Sequence, residues 1–160
     1  MRPTLLLTAM VLFAGCYNAS SGKYSNTLTF APTSDVSSQV LFPSTLPIIV
    51  IPGNACQVAQ EIAVATSFDI VVIPSSQSDV FMDSVTLRLI NGESVGASIT
   101  FPTPDLNRMF GPTVVVGRRA FTFRPEFGCQ VGRPRAIAVD VLLRDGKGNS
   151  QLVVGNAAFE

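Results

Sequence analysis

Hydrophobic and polar positions alternate with a period of two along much of this chain, most cleanly near its end. Ile137, Val139, Val141 and Leu143 fall on one side of residues 136–143, with Asp140 and then Arg144 on the other. A strand with one buried and one wet face reads this way. Residues 80–90 repeat the pattern, Val85, Leu87 and Leu89 alternating with Thr86 and Arg88. Asn91-Gly92 follows as a hairpin cue, and residues 95–101 form the return strand. Further apolar runs at 46–51, 58–66, 68–73, 113–116, 120–123 and 151–159 are separated by clusters of Pro, Gly, Asn and Ser. Gly117, between two of these runs, reads as a bulge. Seven or eight short strands with turn cues between them predict an all-β fold, an antiparallel immunoglobulin-like sandwich.

Helical periodicity is nowhere sustained. Residues 104–110, Pro-Asp-Leu-Asn-Arg-Met-Phe, stopped by Gly111-Pro112, predict one or two helical turns over an end of the sandwich. The Ala-rich stretch 55–65 has a helical alternative to its strand reading. Residues 17–35 are rich in Ser, Asn, Thr and Gly and read as a tether, with the alternative that 28–30 pairs as an edge strand. The organisation expected is a leader at 1–15, a flexible tether at 16–42 and one sandwich domain at 43–160.

Composition narrows the chemistry. Eleven basic residues balance eleven acidic ones and only 14% of the chain is charged, so no global field draws in nucleic acid. The chain has no histidine. That removes the usual general base, the usual triad partner and the commonest transition-metal ligand together. No G-x-S-x-G elbow is present. Asp79 and Asp83 have the types for a carboxylate pair but read as turn or solvent-face residues. The run from Asp145 to Ser150 has oxygens for Ca²⁺, but a calcium loop needs several carboxylates and this one has a single Asp beside Lys147, so it reads as a hairpin turn. No cofactor and no metal are expected, and no catalytic residue is assigned.

One constellation stands out as a candidate binding site. Arg118, Arg119, Arg124, Arg133 and Arg135 are interleaved with Phe121, Phe123 and Phe127. Guanidinium forks recognise carboxylate and phosphate, so convergent side chains would make an anion or partner site. Alternation offers the opposite reading, with the phenylalanines inward and Arg118, Thr122 and Arg124 on the wet face.

The chain opens with Arg2 and an apolar run from Leu5 to Ala14, a secretory leader too short to span a membrane. It ends in Leu12-Phe13-Ala14-Gly15-Cys16, which resembles the lipobox of bacterial lipoproteins. The resemblance implies cleavage before Cys16, a lipid on its thiol and attachment to a membrane in the cell envelope. Tyr17 in place of an aspartate implies, by the same analogy, the outer membrane or cell surface. In an exported protein the two remaining thiols, Cys56 and Cys129, favour a disulfide over free buried thiols or a redox pair. The last 25 residues are similar to the closing hairpin of bacterial immunoglobulin-like and fibronectin-like domains: Ala138-Val139-Asp140-Val141, Asp145-Gly146-Lys147-Gly148-Asn149, Leu152-Val153-Val154. The function expected is a binding, adhesion or envelope-assembly module that is not an enzyme, with an envelope protein or glycan as partner. The alternatives are a hydrolase using carboxylates alone on glycans, or a spacer.

Overall fold

A computed structural model describes residues 24–26, 28–30, 38–51, 56, 61–74, 79–92 and 94–160. It contains fourteen strands and one helix among the described residues: β1 (Tyr24–Asn26), β2 (Leu28–Phe30), β3 (Ser38–Pro43), β4 (Thr45–Leu46), β5 (Ile49–Val50), β6 (Glu61–Ala65), β7 (Phe68–Pro74), β8 (Val80–Asn91), β9 (Ser94–Pro102), α1 (Thr103–Phe110), β10 (Val114–Val115), β11 (Arg119–Phe123), β12 (Glu126–Val131), β13 (Ala136–Asp145) and β14 (Ser150–Phe159). The leader, Cys16 and positions 55 and 57–60 of the helix alternative lie outside the described residues. Positions 61–65 of that alternative are strand.

The strands make a two-layer, predominantly antiparallel sandwich. One layer runs β8–β13–β14, with β9 and β10 sharing the free edge of β8, and β2 and β4 sharing that of β14. β4 runs parallel to β14, while the other pairings are antiparallel. The second layer runs β1–β3–β7–β11, and β5–β6–β12 continues it past a bend. There β6 passes into β7 and β11 into β12, and the Thr66 amide bridges the break by donating to Pro125 O at 3.2 Å.

Alternation fills the space between the layers. Leu87, Leu89, Ile137, Val139, Val141 and Leu143 come from one sheet and Phe42, Ile70, Val72, Phe121 and Phe123 from the other, all buried. A buried amide also ties the layers together. Gln151 on β14 accepts from Ser38 N at 3.1 Å and donates to Ser38 O at 3.2 Å, meeting the backbone of β3 as a strand would. Helix α1 forms where Pro104 and Gly111 bracket a short run. It turns Leu106 into the core, and its Phe110 ring stands edge-on to Phe121 and Phe123.

Two expectations are corrected. The tether reading of 16–42 stops short: β1, β2 and the first five residues of β3 lie in it yet pair with β3, β14 and β7. β1 and β2 cover the open edges of β3 and β14, the latter as the edge-strand alternative for 28–30 has it, and β3 lies between β1 and β7. Gly117 is not a bulge. It sits between β10, paired to β8, and β11, paired to β7, so it marks where the chain crosses between layers, with φ +83°. The register shift falls instead in β12, between Glu126 and Gly128, where Gly128 has φ +69°. Cys129 lies within β12.

Candidate functional site

A second irregularity builds a cleft on the surface. In β8 the buried positions run Val80, Met82, then Val85, Leu87 and Leu89, so the alternation slips by one residue. The pairing with β13 slips at the same place: Leu142 faces Ser84 and Leu143 faces Met82, leaving Asp83 as the extra residue. Such a bulge keeps both halves of the strand buried on the same side and re-aims the residue between them. Asp83 thereby joins Phe81 on the outer face, opposite Arg144 of β13.

Arg144 stacks over the Phe81 ring, its guanidinium carbon 5.2 Å from the ring centroid. It donates from Nε to Asp83 Oδ2 at 2.8 Å and from Nη2 to Asp83 Oδ1 at 3.2 Å. The carboxylate, by hydrogen bond first and charge second, holds the Arg144 guanidinium still more firmly protonated than usual. The helix is fastened to the same bulge, since Thr103 Oγ1 donates to Asp83 O at 2.7 Å. Between the sheet face and α1 lies a cleft of about 450 Å³, lined by Phe81, Asp83, Asn107, Pro112, Val114 and Arg144 among others. Among the described residues Asp83 is the single carboxylate in that lining, where glycoside hydrolysis ordinarily uses a pair.

The five arginines are distributed over the second layer and its connections. Phe121, Phe123 and Phe127 point into the core while Thr122 and Arg124 are exposed. Arg118 and Arg124 flank β11, about 20 Å apart at the strand rise. Arg119 is turned to structural use: its guanidinium donates to Phe110 O and Val114 O at 2.9 Å each and to Pro112 O, and lies 4.6 Å from the Phe121 ring centroid. It therefore satisfies carbonyls at the end of α1 that helix geometry leaves open. Arg133 and Arg135 lie beyond β12, Arg133 donating to Glu160 O. Asp140 pairs with Arg88 at 2.8 Å and not with this group.

Asp145 is committed to its turn. Oδ1 accepts from the Lys147 and Asn149 amides at 2.9 and 2.8 Å, and Oδ2 accepts from Asn149 Nδ2 at 2.8 Å. Oxygens facing three N–H donors are not disposed toward a cation. The Asn149 side chain, followed by the two amides and the Lys147 charge, lowers the Asp145 pKa against the opposing effect of burial. A lowered folded pKa contributes stability that is complete above the unfolded value of about 3.9 and lost as pH falls through the folded one. Asp145→Ala is accordingly expected to lower the melting temperature at neutral pH, with the gap to the unaltered chain closing below about pH 4. Thermal melts across pH 2–7 check this; a gap constant with pH would contradict it.

Cys56 and Cys129 are joined in a disulfide, with Cα atoms 5.6 Å apart. The Glu61 carboxylate lies close to both sulfurs, but bonded sulfurs offer no thiolate to a metal.

No family model matches the chain, and no curated protein matches it. Among solved structures it is similar to the X-ray structure of Northeast Structural Genomics Consortium target SoR45, at 8% identity and a TM-score of 0.49, over 76% of this chain and 86% of that one.

Proposed function

We propose that the chain is an exported β-sandwich, anchored by lipid on Cys16, that serves the cell envelope as a binding module and not as an enzyme. The observation that carries this reading is the Cys56–Cys129 disulfide, a bond that persists in oxidising compartments and is rare in the cytosol. It agrees with the leader read at residues 1–15. The binding assignment draws on a cleft with a charged pair, an amide and an apolar floor but one carboxylate, and on a chain without histidine. The outer membrane or cell surface is the address this reading favours.

Growth with an alkyne-bearing palmitate analogue tests the anchor. The unaltered chain is expected to take up label in the membrane fraction, and Cys16→Ser to take up none. An unlabelled, soluble wild-type product would overturn the reading.

A further inference from the structure

We infer that the cleft between α1 and the β8–β13 face is a saccharide site, which takes a neutral pyranose ring between the Asp83–Arg144 pair and Asn107. The inference rests on the binding reading above and gives it a ligand class, but does not depend on acylation of Cys16.

Size comes first. About 450 Å³ lies inside the range of roughly 300–1,000 Å³ typical of small-molecule sites. Charge decides next. Asp83 and Arg144 cancel, and among the described residues no other charged side chain lines the cleft. An anionic ligand would gain from Arg144 only by approaching the Asp83 carboxylate, and a cationic one would meet the reverse. A hydroxyl, which both donates and accepts, suits the two groups side by side.

Hydrogen-bonding capacity remains on both partners. Arg144 spends its Nε–H and one Nη2–H on Asp83, out of the five N–H bonds a guanidinium carries. Asp83 accepts one bond on each oxygen from Arg144, and each oxygen keeps a further lone pair. The pair is thus a planar edge of donors and acceptors, fixed by the bulge and by stacking on Phe81, and matched to neighbouring ring hydroxyls. Asn107 adds an amide from the exposed face of α1. Phe81, Pro112 and Val114 supply apolar surface for the C–H face of the ring. Fixed polar groups over an apolar floor are the arrangement by which small-molecule sites orient a ligand.

Titration of the full chain in detergent tests the site. The probes are neutral methyl pyranosides, neutral N-acetylated disaccharides, a longer neutral oligosaccharide and the matching uronic acids, followed by ligand-observed NMR. A neutral member is expected to bind in about the millimolar range or tighter, and ahead of its uronic acid. Tighter binding of the oligosaccharide would identify a polymer as the source, and equal binding a free sugar. Because Asp83 also holds Arg144, the conservative Asp83→Asn is used together with Asn107→Ala on the exposed helix face. They are expected to weaken neutral binding about tenfold and about fivefold, and Asp83→Asn to improve uronate binding. Three results would overturn the proposal: no saturable neutral ligand, a uronic acid preferred by the unaltered chain, or affinity unchanged in both variants.

Discussion

Replacing Phe123 by alanine is expected to cost about 4 kcal/mol of folding stability. The ring is fully buried and touches rings from three other elements: Phe68 of β7 at 6.1 Å between centroids, Phe101 of β9 at 5.4 Å and Phe110 of α1 at 5.1 Å. It is where the two layers and the helix meet. Alanine would leave a hole walled by aromatic side chains that belong to separate elements and so cannot collapse together to fill it. Thr122, one residue back, faces solvent and bonds Asp69 at 2.7 Å. Its alanine variant is expected to lose less than about 1 kcal/mol. Urea unfolding of both variants makes the comparison. Equal losses would mean that Phe123 is not the centre of the core.

Breaking the disulfide, by Cys56→Ser with Cys129→Ser, is expected to remove a similar amount. The bridge spans 73 residues, and closing a loop of that length in the unfolded chain is worth about 4 kcal/mol in the chain-entropy description. For a domain of this size that corresponds to a fall in melting temperature of roughly 10–15 °C. The loss is large against a typical total of about 5–15 kcal/mol. It should appear equally when the unaltered protein is melted with a reductant. A melting temperature indifferent to reductant would show that β12 and the chain ahead of β6 are held by packing alone.

Much of this architecture is legible in the residue pattern, and the parts that are not have identifiable reasons. The strands at 80–91 and 136–145 follow from period-two alternation, which runs unbroken in the second and from Val85 to Ile90 in the first. Asn91-Gly92 marks its hairpin, with Gly92 at φ +64°. Helix α1 is announced by Pro104 and Gly111. The strand at 28–30 was open to reading as an edge strand, while that at 24–26 was concealed in a polar stretch whose backbone pairing leaves little trace in side-chain pattern. Gly117 and Gly128 both have positive φ, and nothing in their flanking residues says which serves a crossover and which a bulge.

The site was half visible. Asp83 draws attention as a carboxylate, but its relation to Arg144 requires the register between β8 and β13, a non-local fact. A local signal was nevertheless present: two residues, not one, separate the inward Met82 from the inward Val85. In the arginine-rich stretch alternation turns Phe121, Phe123 and Phe127 inward and leaves Arg118, Thr122 and Arg124 exposed. Arg119 is spent on the end of α1.

The intact mass of the protein extracted from membranes tests the central claim most directly. The expected product begins at Cys16, carries acyl groups there, and lacks one hydrogen on each of Cys56 and Cys129. A product that still begins at Met1, recovered from the soluble fraction with all three cysteines as free thiols, would contradict export, anchor and bridge together.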